Sequence, residues 1–230
     1  MNKNFPIVIP PTVGVANCRE RFAVRRIYCV GQNYADHARE MGSDPDRKPP
    51  FFFMKPADAV VPSGSHLQFP PKTAELHHEV ELVIALAGGG ARIRPDAVAD
   101  IIFGWAVGLD MTRRDLQAEA KKSGRPWDLA KGFDESAPIG LLVKSAPPAA
   151  AAISLSVNGK PRQAGNIADM IWTVPEIVAT LSTYVKLAAG DLIFTGTPAG
   201  VGPVLRGDAL IGRIDGAEPI EVSYLRASGG

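Results

Sequence analysis

The stretch His77-His78-Glu79-Val80-Glu81-Leu82 constrains the fold more than any other part of this chain. It continues as an apolar run over residues 83–87 and ends at three consecutive glycines, a pattern typical of a buried strand. Because side chains on a strand alternate in direction, His77, Glu79 and Glu81 share one face and His78 lies on the other. Two buried carboxylates at this spacing are costly without a positive partner. The pattern is compatible with a hard divalent cation bound between them, or with an exposed edge strand whose acids are solvated.

Composition limits the classes of protein to which the chain can belong. Its 230 residues are 46% hydrophobic, which is enough for one sizeable core. A net charge of +1 without a basic stripe argues against nucleic acid, and no apolar run reaches membrane length. Prolines interrupt the N-terminal stretch, so no signal peptide is expected. Cys18 and Cys29 have neither zinc-type partners nor a disulfide framework, so we expect a soluble cytoplasmic protein with reduced thiols.

Turn signals indicate many short strands rather than a helical bundle, since the chain has 20 prolines and 23 glycines. No internal repeat or convincing domain boundary is present. We therefore predict an α+β protein dominated by a mixed, curled sheet, with a lead-in over residues 1–25 and a single domain over residues 26–230. Strands are predicted at 26–31, 50–56, 77–87, 101–109 and 191–194, and hairpins at 153–163 and around 215–216.

Helices and loops are predicted from capping and turn chemistry. A helix is predicted over 34–41 with Asn33 as N-cap, and a polar, mobile flap over 43–50. Capping boxes at 112–115 and 173–176 predict helices that run to about 123 and 187. Residues 124–136 are predicted to be an irregular loop.

Four further residues have a spacing that suggests chemistry. Asp110 ends a strand, so it is either a helix-entry acid or a third oxygen ligand that suits Mg²⁺ or Mn²⁺ rather than zinc. His37 and Glu40 share a helical face, as a surface pair or as a general base oriented by a carboxylate. Lys131 is either a solvated loop lysine or a cation that stabilises an enolate. The enzymatic hypothesis requires that Asp110 lie near Glu79 and Glu81 and that no basic side chain fill the space between them.

The turn Thr195-Gly196-Thr197-Pro198 follows a buried strand and is either a plain tight turn or a source of N–H groups for a carboxylate. No phosphate loop, dinucleotide fingerprint or serine-nucleophile elbow is present in the sequence. Nucleotide chemistry and serine hydrolysis are therefore not indicated.

Six blocks in this order resemble the fumarylacetoacetate hydrolase family. They span about residues 25–225 and occupy positions 28–40, 53–56, 77–82, 108–117, 129–134 and 195–202. The resemblance implies a mixed β-roll with a few peripheral helices, usually a homodimer, and a Mg²⁺ or Mn²⁺ ion. It implies metal ligands at Glu79, Glu81 and Asp110, a dyad at His37 and Glu40, and an enolate-stabilising Lys131. It assigns substrate contacts to Gln117, Thr197 and Gly196, with Arg114 and Lys55 as supporting residues.

Two departures from fumarylacetoacetase itself favour a smaller branch of the family. The chain has no room for that enzyme's extra N-terminal domain, and residues 28–35 lack its additional metal-binding acid. The chain thus looks like the acylpyruvases, and residues 44–53 look like the fumarylpyruvate hydrolases.

The resemblance implies metal-dependent hydrolysis of a C–C bond in a small keto acid, a 3-acylpyruvate such as 3-fumarylpyruvate, which would yield fumarate and pyruvate. The alternatives are acetylpyruvate hydrolysis, oxaloacetate decarboxylation, isomerisation or decarboxylation of a dienoate from aromatic catabolism, and a catalytically silent metal-binding or dicarboxylate-binding protein. The sequence does not show whether residues 40–50 become ordered as a lid when a ligand binds.

Overall fold

The computed structural model describes residues 9–40 and 48–226, and within them strands predominate over short helices. The strands are β1 (Thr12–Gly14), β2 (Arg21–Ala23), β3 (Arg26–Gly31), β4 (Phe51–Lys55), β5 (Val60–Pro62), β6 (Ser65–Leu67), β7 (Leu76–His78), β8 (Val80–Leu86), β9 (Ile102–Leu109), β10 (Thr112–Arg113), β11 (Ala137–Ile139), β12 (Ala152–Val157), β13 (Lys160–Asn166), β14 (Asp191–Phe194), β15 (Gly202–Val204), β16 (Ala209–Ile214) and β17 (Ile220–Tyr224). The α-helices are α1 (Ala35–Glu40), α2 (Arg114–Ser123), α3 (Asp128–Lys131) and α4 (Val174–Tyr184).

A seven-stranded mixed sheet forms the centre of the molecule, in the order β4-β3-β14-β8-β9-β11-β5. The β3–β14 and β11–β5 pairs are parallel, and the other pairs are antiparallel. The β8–β9 ladder places Glu81 opposite Gly108 and Val80 opposite Leu109. The predicted acidic strand thus lies in the interior of the sheet rather than at an edge, which removes the solvated edge-strand alternative.

Both faces of β8 are covered, which explains why its sequence is apolar from Leu82 to Leu86. Leu82, Ile84 and Leu86 pack in the larger core, together with residues of the five-stranded sheet β13-β12-β16-β17-β6. Val83 and Ala85 face a second core, which includes side chains from β1, β2 and β11. Glu81 lies on the same side of β8 as this second core, because it alternates with Leu82.

The predicted strand over 77–87 is divided in two. β7 pairs with β10 and β15 in a separate three-stranded sheet, and Glu79 lies at the junction before β8. The break directs β7 away from the central sheet and gives Glu79 a position between two sheets.

The structure confirms several local predictions. β4 and β14 occur where strands were predicted, and the Asn158-Gly159 turn joins β12 to β13 with positive φ angles of 52° and 74°. The capping box of α4 is formed by Thr173 and Glu176, although the helix ends at Tyr184 rather than near 187. The tail hairpin is formed by β16 and β17.

Other local predictions were wrong. The capping box predicted at 112–115 does not form. Residue 113 is the N-cap of α2, and its side chain makes no capping hydrogen bond. Asp115 instead accepts hydrogen bonds from Thr73 and Ala74. The loop over 124–136 contains the short helix α3. The side chain of Asn33 bonds the main chain of Trp172 and Thr195, so it fastens a crossing loop to β14.

Two predictions, the flap over 43–50 and the domain boundary at residue 25, are not decided by the structure. Most of the predicted flap, residues 43–47, lies outside the residues that the structure describes. The lead-in contains the β1–β2 hairpin, whose Val13 and Phe22 join the second core, and the boundary at residue 25 stays a prediction. Within the described ranges, no helix combines the length and apolarity needed to cross a bilayer.

Candidate active site

Three carboxylates meet where β8, β9 and the β7–β8 junction adjoin. Glu81 is on β8, Glu79 precedes it, and Asp110 directly follows β9. All three residues are at most 5% exposed. Each offers an oxygen that lies within 4.8 Å of the other two, and the Asp110 N–H donates to the Glu79 carbonyl at 2.9 Å. The structure therefore brings together the three residues predicted to hold a metal.

Three basic side chains, those of Lys131, Arg114 and Lys55, form ion pairs with Glu79 and Asp110. Lys131 Nζ lies 2.8 Å from Glu79 Oε2 and 2.8 Å from Asp110 Oδ2, and Arg114 donates to Glu79 Oε1. Burial raises the pKa of Glu79, but the charges of Lys131 and Arg114 outweigh burial and hold that pKa well below its usual value. Conversely, burial lowers the pKa of Lys131, but the neighbouring carboxylates raise it overall. Glu79 is ionised and Lys131 is charged.

Lys55 lies behind the carboxylates rather than in contact with solvent. Its ammonium is fully buried, 2.8 Å from Asp110 Oδ1, and it donates to the carbonyls of Met111 and Lys131. The approach to Asp110 Oδ1 lacks hydrogen-bond geometry, so this contact is electrostatic. Lys55 thus supports Asp110 and the end of α3, and it is absent from the lining of the cavity described below.

Glu81 differs from the other two carboxylates because no basic side chain forms an ion pair with it in the described part of the chain. Its Oε2 accepts a hydrogen bond from the Gly196 N–H at 2.7 Å. Burial and the negative charges of Asp110 and Glu79 raise its pKa well above the usual value. This carboxylate is therefore the one whose charge is least compensated.

The donor set fits a divalent cation. Lys131 Nζ occupies the space between Glu79 and Asp110, at 2.8 Å from each, but it forms no ion pair with Glu81 in the described part of the chain, so a basic side chain bridges two of the three carboxylates and not the whole cluster. Asp110 Oδ1 is buried without a hydrogen bond and has Lys55 Nζ 2.8 Å away as its counter-charge. Carboxylate oxygens without Cys or His ligands suit a hard ion.

A cavity opens onto this cluster. Its walls come from β3, β4, α1, α2, α3 and the turn after β14. The lining residues are Val30, Gly31, Gln32, His37, Phe51, Phe53, Glu79, Glu81, Arg114, Gln117, Lys121, Trp127, Lys131, Gly196 and Thr197.

The predicted dyad is present at one side of this cavity. His37 Nδ1 lies 3.4 Å from Glu40 Oε2, and Glu40 also accepts from the Gly200 N–H. His37 is 5% exposed, and burial lowers its pKa, which the nearby carboxylates offset only in part. The imidazole is therefore neutral near pH 7, as a general base must be.

Arg114 and Gln117 are presented by the first turn of α2. Arg114 Nη1 donates to Gln117 Oε1 at 2.6 Å, and its Nε lies 3.4 Å from His77 Nδ1. Burial and then the charge of Arg114 lower the pKa of His77 to about 4, so His77 is a neutral acceptor. His77 thus contacts Arg114.

The turn after β14 is fastened to β8 by hydrogen bonds. Thr195 Oγ1 donates to the Leu82 carbonyl, and Thr197 Oγ1 donates to the Val80 carbonyl at 2.7 Å. Both threonines are buried and Thr197 lines the cavity. The Thr197 hydroxyl hydrogen is therefore already engaged, and what the turn offers is main chain held against Glu81.

Sequence reasoning missed Gln163. This buried glutamine of β13 accepts from His78 Nδ1 and the Val80 N–H, and its amide donates to Thr197 Oγ1 and the Pro198 carbonyl. Its only signal in the sequence is a polar residue at an inward position of the hairpin. His78, predicted on the opposite face of the strand from Glu79 and Glu81, is fully buried beside Gln163.

Comparisons with known proteins agree with this geometry. The profile of the fumarylacetoacetate (FAA) hydrolase C-terminal family matches residues 26–222. The chain is 45% identical over 175 residues to a fumarylpyruvate hydrolase from Ralstonia sp, covering 75% of this chain and 91% of that protein. It is also 45% identical over 206 residues to the mitochondrial oxaloacetate tautomerase FAHD1 of Mus musculus, covering 88% and 93%.

Among solved structures, it is similar to the fumarylpyruvate hydrolase of Pseudomonas aeruginosa in complex with Mn²⁺ and pyruvate. The TM-score is 0.94 at 49% identity, over 98% of this chain and 100% of the other. The site and fold define a protein of the fumarylacetoacetate hydrolase type. The chain belongs to the fumarylacetoacetate hydrolase family, and the predicted α+β fold with its mixed β-roll is confirmed.

Proposed function

We propose that the protein is a metal-dependent hydrolase that cleaves the C–C bond of 3-acylpyruvates, with 3-fumarylpyruvate as substrate and fumarate and pyruvate as products. The observation that carries the proposal is the buried cluster of Glu79, Glu81 and Asp110, which opens onto a cavity that also contains a His–Glu dyad. Identities of 45% and 49% to two fumarylpyruvate hydrolases, over most of the chain, support the choice of substrate.

Mg²⁺ or Mn²⁺ held by these three carboxylates would supply a Lewis acid for the keto and carboxylate oxygens of the pyruvoyl end. The charge of the cluster supports this assignment. Lys55, Lys131 and Arg114 pair with Asp110 and Glu79 but, among the described residues, not with Glu81, so a divalent cation would supply the missing positive charge and would attract a dianionic substrate. We infer that the metal and the anionic substrate bind cooperatively.

His37, oriented by Glu40, takes a proton from a water molecule, whose oxygen then forms a bond to the acyl carbonyl carbon. The bond between that carbon and the methylene of the pyruvate portion breaks, and its electron pair leaves as the pyruvate enolate. Lys131 stabilises the enolate oxygen by its charge, and protonation at carbon gives pyruvate. The acyl group leaves as a carboxylate, fumarate in the preferred case.

Keto–enol tautomerisation of oxaloacetate is the second candidate, because a relative with 45% identity over 206 residues is described as an oxaloacetate tautomerase. It shares enolate stabilisation by Lys131 but needs no attacking water. The dyad would serve either reaction, because tautomerisation also needs a base, to take a proton from carbon. The choice of hydrolysis is supported by the two fumarylpyruvate hydrolases. Decarboxylation of oxaloacetate and isomerisation of a dienoate would also use enolate stabilisation without a water nucleophile.

A substrate panel tests the proposal. Steady-state rates are measured with fumarylpyruvate, acetylpyruvate and oxaloacetate, each with Mg²⁺, with Mn²⁺ and with chelator. We expect metal-dependent release of fumarate and pyruvate from fumarylpyruvate. Turnover confined to oxaloacetate would overturn the hydrolase proposal, and no turnover of any substrate would favour a silent binding protein.

The assembly and location of the protein belong to the same proposal. The homodimer and the cytoplasmic location expected from the sequence stay predictions. Light scattering of the purified chain measures the oligomeric state directly.

A further inference from the structure

Lys121 has a position in the cavity that the proposed chemistry does not use. It lies on α2 at seven residues from Arg114 and four from Gln117, so all three side chains share one helical face. All three line the cavity. Since each helical residue rises about 1.5 Å, Lys121 is displaced from Arg114 by about 10 Å along the helix axis. The cavity therefore has a second cationic position, about two helical turns along α2 from Arg114.

Lys121 differs from the other cations of the cavity in its partners. Lys131, Lys55 and Arg114 all contact carboxylates of the metal cluster. By contrast, no carboxylate forms an ion pair with Lys121 among residues 9–40 and 48–226. Its Nζ lies 5.2 Å from the ring centroid of Trp127. A cation held against an aromatic ring at a cavity mouth, without a protein anion, is available to a ligand anion.

The wall between the two cationic positions is aromatic. Phe51 and Phe53 pack against Trp127 with ring centroids 5.3 and 5.7 Å apart, and all three rings line the cavity. Lys131 Nζ lies 4.9 Å from the centroid of Phe53, so this wall begins at the metal cluster. The Phe51 and Phe53 rings are inclined to the Trp127 ring by 88° and 56°, so the wall presents ring edges and faces to the cavity. Such an apolar wall suits an unsaturated carbon chain with a charged group at each end.

We propose that Lys121 binds the distal carboxylate of the acyl group, and that it thereby selects acylpyruvates whose acyl chain ends in a carboxylate. The inference rests on the proposed function, because it takes the pyruvoyl end to lie at the carboxylate cluster. Fumarylpyruvate meets this requirement and acetylpyruvate does not. In the alternative, Lys121 is a lysine of the last helical turn that only stabilises α2 through the helix dipole. Lys122 is the matched control, because it lies in the same turn but does not line the cavity.

The test compares Lys121→Met with Lys122→Met in the metal-loaded protein. Loss of a charge-assisted hydrogen bond predicts that Lys121→Met lowers kcat/KM for fumarylpyruvate about 10-fold to 100-fold. Its kcat/KM for acetylpyruvate should stay within about twofold of wild type, since that substrate has no distal carboxylate. Lys122→Met should change neither value. An equal fall for both substrates, or no fall for either, would overturn the inference.

A binding measurement separates this inference from the proposed function. Calorimetric titration of the Mg²⁺-loaded protein with fumarate, and with its monoacid analogue crotonate, needs no turnover. We expect wild type to bind fumarate more tightly than crotonate, and Lys121→Met to abolish the difference. If wild type hydrolyses no acylpyruvate, the proposed function fails, and the titration still decides whether Lys121 binds a dicarboxylate. If acylpyruvates are hydrolysed but Lys121→Met retains the difference between fumarate and crotonate, only the assignment of Lys121 is wrong.

Discussion

The N–H of Asp110 donates a hydrogen bond to the carbonyl of Glu79 at 2.9 Å, and this main-chain bond joins two of the three clustered carboxylates. The third, Glu81, is held in the β8–β9 ladder opposite Gly108. Strand pairing therefore sets the backbone positions of these residues, and the bonds from Arg114, Lys131 and the Gly196 N–H hold their carboxylates. Such a site is preorganised, so little conformational entropy is lost when a cation binds.

Glu81→Gln should weaken metal binding strongly, because it removes the carboxylate whose charge is least compensated. We expect a loss of Mn²⁺ affinity of about 100-fold, the upper end of what loss of one supporting interaction at a metal site costs. Isothermal titration with Mn²⁺ measures the affinity. Glu75→Gln, at an exposed position just before β7, is the control and should bind as wild type does. Unchanged affinity in Glu81→Gln would remove Glu81 from the ligand set.

Although Glu81→Gln should weaken metal binding, it should stabilise the folded protein when no metal is bound. The pKa of Glu81 is raised in the folded state, so folded protein holds this proton more tightly than unfolded protein does. Its stabilising contribution is complete below the unfolded pKa of about 4.3 and is lost as pH rises through the raised value. Glu81→Gln should therefore gain stability over wild type with increasing pH, by at most about 1.4 kcal/mol per pH unit.

Urea unfolding in chelator at several pH values measures this difference. Because both proteins share every other titrating group, the difference isolates Glu81. Saturating Mn²⁺ should reverse the order, since the metal stabilises only the protein that binds it tightly. A difference independent of pH would show that Glu81 has an ordinary pKa in the folded state.

His37→Ala should lower kcat for fumarylpyruvate by about 10²-fold to 10⁴-fold, the contribution typical of a general base. Metal affinity should be unchanged, because His37 is not among the clustered carboxylates. Burial lowers the pKa of His37, so wild-type kcat/KM should hold below pH 6.5 and fall only as pH drops through the lowered value. Rate profiles between pH 4.5 and 8 test this. If kcat is unchanged in the variant, His37 is not the base.

The sequence predicted the parts of the site that are local in the chain. Glu79 and Glu81 were recognisable because a strand places alternate residues on one face, and the His37–Glu40 pair because a helix brings residues three apart together. The resemblance to a family, rather than periodicity, assigned Asp110 as a metal ligand. Strand boundaries at Asp191–Phe194 and the hairpin at Asn158-Gly159 followed from turn chemistry and apolar runs.

What remained hidden depends on contacts between distant segments. The break at Glu79 arises because β7 pairs with β10 and β15, which no local pattern shows. The expected capping box at α2 failed because Asp115 bonds Thr73 and Ala74, more than 40 residues away. The charge state of Glu81 depends on burial and on Asp110, and neither can be read from one strand.

Gln163 is the clearest of these long-range contacts, and its replacement gives a prediction that sequence alone would not suggest. Gln163→Leu leaves the buried Val80 N–H, His78 Nδ1 and the Pro198 carbonyl without their present partner. Since each orphaned buried group costs about 1–3 kcal/mol, with partial relaxation, we expect a loss of about 2–4 kcal/mol in the free energy of unfolding.

Urea unfolding at pH 7 measures this loss, with Arg162→Leu as control because residue 162 is the exposed neighbour on β13. Catalysis should fall as well, because Gln163 donates to Thr197 Oγ1 and so holds the turn that presents the Gly196 N–H to Glu81. Wild-type stability in Gln163→Leu would mean that the glutamine has no positioning role. The register between β8 and the turn after β14 would then depend on the other bonds of the turn, namely those of the Thr195 and Thr197 hydroxyls, the Thr195 N–H, the Asn33 amide and the Gly196 N–H.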